Sequence, residues 1–165
     1  MKRVLMLASV ASMIDQFNMP NIALLQKLGY QVDVACNFIE GNTCSDARVA
    51  ELKQKLQDMH VHCYQIDFAR NIKHMGQNMR ALRQVEGLMK QNGYAFCHCH
   101  SPIGGVVSRI AGHRTKMKVI YTAHGFHFYQ GAPLVNWLVY YPVEKVLSRW
   151  TDVLITINHE DYARA

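Results

Sequence analysis

Phe96-Cys97-His98-Cys99-His100-Ser101-Pro102-Ile103-Gly104-Gly105 runs a short apolar strand into a turn and the glycine-rich start of a helix. Lys118-Val119-Ile120-Tyr121-Thr122 then resumes as a strand. The same strand, turn and helix order recurs along the chain. Apolar and partly β-branched runs over 3–8, 31–36, 60–66, 96–100, 118–122 and 153–157 read as strands covered on both faces. Helical patterns fall between them over 19–28, 46–58, 72–92, 104–112 and 134–150. Gly29 and Gly93 follow the first and third of these, where a left-handed residue would end each helix. Strands alternating with helices in this way require right-handed crossovers, so the fold class is α/β: a mainly parallel, doubly wound, Rossmann-like sheet.

The chain has 165 residues, half of them hydrophobic and 18% charged, which suits one α/β domain with a sizeable core and excludes a disordered chain. Eighteen Lys and Arg against twelve Asp and Glu leave a net charge of +6 and point to anionic company. The basic residues are scattered and form no consecutive arm, so nucleic acid is not expected as a partner. Met1-Lys2-Arg3-Val4-Leu5-Met6-Leu7-Ala8-Ser9 mimics a signal peptide, but the apolar run breaks at Ser12 and Asp15 and reads as the first core strand. Five Cys without a framework spacing suit reduced thiols and a cytoplasmic setting.

In open α/β sheets ligands bind beyond the carboxyl ends of the strands. The segments landing there are 9–15, 37–44, 67–71, 101–105, 123–131 and 158–161. Thr122-Ala123-His124-Gly125-Phe126-His127-Phe128-Tyr129 is the densest of them. His124 would emerge at the sheet edge, where a neutral imidazole can bond a hydroxyl; Gly125 admits close backbone approach, and Phe126 and its neighbours supply an apolar wall. The competing reading is an ordered loop whose aromatics cap the core. His100 ends its strand beside Ser101 and can reach the same crevice. Gly104-Gly105 opens a helix, and its N–H groups either cradle an anion or let the helix pack tightly on the sheet. No metal is expected: alternation sends Cys97 and Cys99 to one face and His98 and His100 to the other. No P-loop, dinucleotide fingerprint or nucleophile elbow is present, so no cofactor is expected.

Two helices carry further expectations. The stretch 134–150 is apolar nearly all round before Pro142, which implies either deep burial or an interface with a membrane or partner, with Pro142 kinking or restarting it. Met75, Met79 and Met89 recur near helical period and read as core, while Lys73, Arg80, Arg83 and Lys90 read as a solvated face. At the end of the chain, Asn158 with Glu160 and Asp161 starts another helix, which suggests a fragment of a longer polypeptide.

Lys118 to Tyr129, continuing through Gly131-Ala132-Pro133-Leu134 to Trp137, resembles the family 4 glycosyltransferases, notably their exopolysaccharide and capsule-synthesis group. His98-Cys99-His100-Ser101-Pro102 with Gly104-Gly105, and Asp152-Val153-Leu154-Ile155-Thr156-Ile157-Asn158, are similar to the same family. The resemblance covers 3–165 and implies the N-terminal, acceptor-side half of a two-domain GT-B fold. The whole chain, 1–165, would be that domain, with the donor-binding domain outside it. The implied activity is retaining transfer of a sugar from a nucleotide-sugar to a saccharide or lipid-linked acceptor, without metal, at the cytoplasmic membrane face. The implied partners are the nucleotide-sugar, held mostly by the other domain, the acceptor, and a peripheral membrane surface. Carried over, His124 would contact the transferred sugar near its reacting centre. Ser9 and Ser12 would approach the donor phosphates, although Ser9-Val10-Ala11-Ser12 stands where the family has a glycine-rich turn. Alone, the domain would turn nothing over. Two other readings stay open: a non-catalytic binding module, or half of a sugar-nucleotide epimerase.

Overall fold

The computed structural model describes residues 1–69 and 74–165. Six strands form one parallel sheet: β1 (Lys2–Val10), β2 (Tyr30–Asn37), β3 (His62–Gln65), β4 (Phe96–His100), β5 (Val119–Ala123) and β6 (Val153–Thr156). Their spatial order is β3-β2-β1-β4-β5-β6, so the winding reverses between β1 and β4. Helices α1 (Ala11–Met13) and α2 (Met19–Lys27) are joined by a π-helical stretch, Ile14–Asn18. After them come α3 (Asp46–Asp58), α4 (Met75–Asn92), α5 (Pro102–Thr115), α6 (Leu134–Leu147) and α7 (His159–Arg164). The doubly wound α/β expectation holds.

Strand alternation builds two cores. Leu5, Leu7, Cys97, Cys99, Val119 and Tyr121 face α4 and α5, and Val4, Met6, Val32, Val34 and Cys36 face the first three helices. Register fixes the neighbours across the middle of the sheet: Met6 pairs His98, and His100 pairs Thr122. Where local signals were strong, the helices begin and end as read. The Ser45 hydroxyl caps α3 by accepting from the Arg48 N–H, and Val49, Leu52 and Leu56 bury one stripe. Gly29 and Gly93 take the positive φ that ends α2 and α4.

Several expectations are corrected. The helix read over 19–28 is α2, but the segment 9–15, read as a turn, is already helical from Ala11, because Ala11, Ser12 and Ile14 bury against the sheet although no side chain caps that start. Helix α5 runs three residues past Gly112, to Thr115, and begins at Pro102. Helix α6 passes through Pro142 without a break. Of its residues only Leu147 is buried, so the deep-burial reading of 134–150 fails. Met75 and Met79 are 72% and 44% exposed, and of that stripe only Met89 is core. Period-3.6 spacing identifies a face but not what covers it. The expectations for Ile72 and Lys73, and for the end of the 67–71 turn, lie outside the described residues.

Candidate functional site

The reversal between β1 and β4 places Ser9 and Ser101 side by side at the carboxyl edge. The Ser101 hydroxyl donates to Ser9 Oγ (3.0 Å) and accepts from the Ser9 N–H (3.2 Å) and the Gly104 N–H (3.3 Å). That occupies its one donor and both acceptor positions. Ser101 holds φ +68° and ψ 153°, a backbone region that costs a serine of the order of 1–3 kcal/mol, between buried His100 and the start of α5.

A column of histidines continues the edge. His98 and His100, two apart on β4, lie ring to ring at 4.4 Å and tilted by 39°, on one face as alternation requires, with Cys97 and Cys99 on the opposite face. His98 Nε2 lies 2.8 Å from Thr122 Oγ1. His100 Nδ1 lies 3.1 Å from His124 Nε2, a contact that follows from His100 pairing with Thr122 two residues before His124. The Phe17 ring, on the π-helical stretch, covers His124 at 5.1 Å. His100 is 1% exposed and His124 is half-buried. Burial, reinforced by the neighbouring imidazoles, pushes His98 down to about 4 and His100 down to about 3. Burial also lowers His124. All three rings are therefore neutral at neutral pH.

Beyond His124 the chain changes character. Phe126 stacks on Phe128 at 4.9 Å, Phe128 meets Tyr141 edge-on at 5.4 Å, and His127 stacks on Tyr140 at 4.6 Å. The Phe126 N–H donates to Asp161 Oδ1 (3.2 Å), which ties the loop to α7. Pro102, Ile103, Gly125, Phe126, Val139 and Val143 help line an almost wholly apolar cavity of about 280 Å³ between α4, α5 and α6. Two of its lining residues hold buried Arg109, 1% exposed, which makes a bidentate pair with Glu144 (2.6 and 3.0 Å), donates to Gly105 O, and sets its guanidinium over Tyr121 at 4.2 Å.

The structure thus brings Ser9, His100, Ser101 and His124 into one polar rim and sets Gly125 and Phe126 on the adjoining cavity. Ser12 lies elsewhere. It is buried, its N–H donates to Asn42 Oδ1 (3.2 Å), and its hydroxyl accepts from the Thr43 N–H (3.4 Å), so it ties the start of α1 to the β2–α3 loop. Gly104 and Gly105 are corrected as an anion cradle. Their N–H groups bond Ser101 Oγ and Ser101 O, and a Cβ on Gly105 would sit 2.5 Å from the Tyr121 ring. These glycines serve close packing. Sequence reading missed the Arg109–Glu144 pair and the Phe17 contact, since the first joins residues 35 apart and the second crosses from the β1–β2 connection. Among the described residues no group of three or more His, Cys, Asp or Glu is arranged to hold a metal ion.

A doubly wound domain with its winding reversal between β1 and β4 is of the Rossmann-like class. More particularly, the chain belongs to the glycosyl transferase 4-like family, whose sequence model matches residues 3–158. It is 40% identical over 167 residues to the candidate glycosyltransferase EpsD of Bacillus subtilis (strain 168), across 99% of this chain and 40% of that relative. The chain therefore spans about two fifths of the length of this curated relative. Among solved structures it is similar to Acinetobacter baumannii MurG (18% identity, TM-score 0.63), over 97% of this chain and 43% of MurG. It is also similar to Anabaena HepE in complex with UDP and glucose (14% identity, TM-score 0.61), over 93% of this chain and 37% of HepE. At such identities these two likenesses speak for the fold alone.

Proposed function

We propose that this chain is the acceptor-side domain of a retaining glycosyltransferase in capsular or exopolysaccharide assembly. In this reading the whole protein moves a sugar from a nucleotide-sugar to a lipid-linked saccharide at the inner face of the cell membrane. The observation that carries it is the His100–His124 pair at the switch-point rim of a glycosyl transferase 4-like domain. A neutral imidazole on this rim can hold a sugar hydroxyl at a fixed angle, which is the positioning that transfer requires.

The rim groups Ser9, His100, Ser101 and His124 carry no fixed charge. Stabilising a departing nucleoside diphosphate needs donors and positive potential. That favours a donor held mainly by a second α/β domain. The apolar cavity beside Gly125 suits the non-sugar part of a lipid-linked acceptor. The exposed side chains of α6, led by Leu134 and Leu138, suit a membrane surface. No described helix is long and apolar enough to cross a membrane.

The test is transfer from labelled sugar nucleotides in the polypeptide that joins this chain to a donor-binding domain. His124→Ala is expected to lower kcat on the order of 10²-fold with the circular dichroism spectrum unchanged. A folded His124→Ala enzyme with the wild-type rate would end this reading.

A further inference from the structure

We infer that His100 is a positioning residue that holds His124 as its Nδ1–H tautomer, so that the free ring nitrogen of His124 donates a hydrogen bond and does not act as a base. The inference deepens the proposed function, on which it rests only for the ligand: a saccharide hydroxyl whose oxygen would accept that bond. The tautomer itself is a property of this chain.

One shared proton fixes both tautomers. His100 Nδ1 and His124 Nε2 face each other at 3.1 Å, and between two neutral imidazoles one nitrogen must donate and the other accept. The second nitrogen of His100, Nε2, is sealed from solvent and has no hydrogen-bond partner among the described residues. If His100 carried its proton there, a buried N–H would be orphaned. With the proton on Nδ1, only a lone pair is left bare. Orphaned buried N–H groups are the rarer of the two, so His100 is protonated on Nδ1 and donates to His124 Nε2. A neutral His124 that accepts at Nε2 has Nδ1 as its one remaining proton site.

The surroundings agree. His98 packs on His100 from the same strand but spends Nε2 on Thr122 Oγ1, and no carboxylate pairs with His98, His100 or His124 among the described residues. Nothing there favours an imidazolium, and burial holds His100 down to about 3. His124 Nδ1 makes no hydrogen bond within the described chain, and its ring is half-buried on the rim. The free nitrogen is a donor presented where the fold binds ligands.

Long-range proton–nitrogen correlation spectra of the ¹⁵N-histidine-labelled chain at pH 7.5 read each ring directly. The expected spectrum has both His100 and His124 protonated on Nδ1. His100→Ala should release His124 into a mixture containing the Nε2–H form. His100→Asn, whose side-chain amide can still donate to His124 Nε2, should keep it on Nδ1. A wild-type His124 protonated on Nε2 overturns the inference, and so does an unchanged His124 in folded His100→Ala. If His100→Ala does not fold, the wild-type spectrum alone decides.

Transfer assays on the longer enzyme separate the two claims. His100→Ala should lower kcat about tenfold or more, with His100→Asn restoring most of it. Equal rates in the two variants would overturn the positioning role. A wild-type enzyme with the expected spectrum and no transfer activity would overturn the proposed function while leaving the tautomer assignment standing.

Discussion

Protonating His98 or His100 is harder in the folded chain than in the unfolded one. Their folded values lie at about 4 and about 3, whereas a free imidazole titrates near 6.5. Between those limits the unfolded chain binds protons that the folded chain refuses. Stability should therefore fall as pH drops below about 6.5, keep falling to about pH 3–4, and be unaffected by these groups above 7. The slope is at most about 1.4 kcal/mol per pH unit for each proton. Urea midpoints at pH 7.5, 6 and 5 check this, with the His98→Asn/His100→Asn double variant expected to show the shallower decline. Equal pH dependence in the two proteins would refute it. Strand alternation already told from the sequence that His98 and His100 share a face. Their depth, and the partner at position 124, came from the register between β4 and β5, which no local pattern records.

Helix α6 is tied to α5 by a buried ion pair. Arg109 of α5 is buried and pairs bidentately with Glu144 of α6, beneath the loop that carries His124 to Phe128. Removing one partner of a buried pair strands the other charge, at a cost of about 3–5 kcal/mol. Glu144→Ala should lower unfolding stability by about that much at pH 7.5, measured by denaturant titration. A change below about 1 kcal/mol would show that Arg109 finds water or a new partner. The same helices show why element-level reading had mixed success. Gly104 and Gly105 admit two explanations in the sequence, and Ser101 and Ser9 against the first and the Tyr121 ring against the second decide for packing. The apolar character of α6 was plain, but hydropathy registers a wish to leave water without naming the surface that receives it.

At the scale of the molecule, an exposed apolar helix accompanies a net charge of +6, and Lys145 on α6 and Arg149 just beyond it place cations on that side. Apolar insertion and attraction to anionic lipid act together in such surfaces. The chain should float with vesicles containing anionic lipid at low salt, less so at high salt, and much less after Leu134→Glu with Leu138→Glu. Equal flotation of wild type and variant, or none by wild type, would remove the membrane from the proposed function.

The alternation of strands and helices, the parallel sheet and the segments at its carboxyl edge were written in residues close together along the chain. Periods of 2 and 3.6, helix caps and stop signals are all short-range physics. Which histidines touch, why the paired glycines are small, how Arg109 is neutralised and which helix stays bare depended on segments meeting across the sheet. Those outcomes follow from register and close packing between distant residues, so only the folded chain decided them.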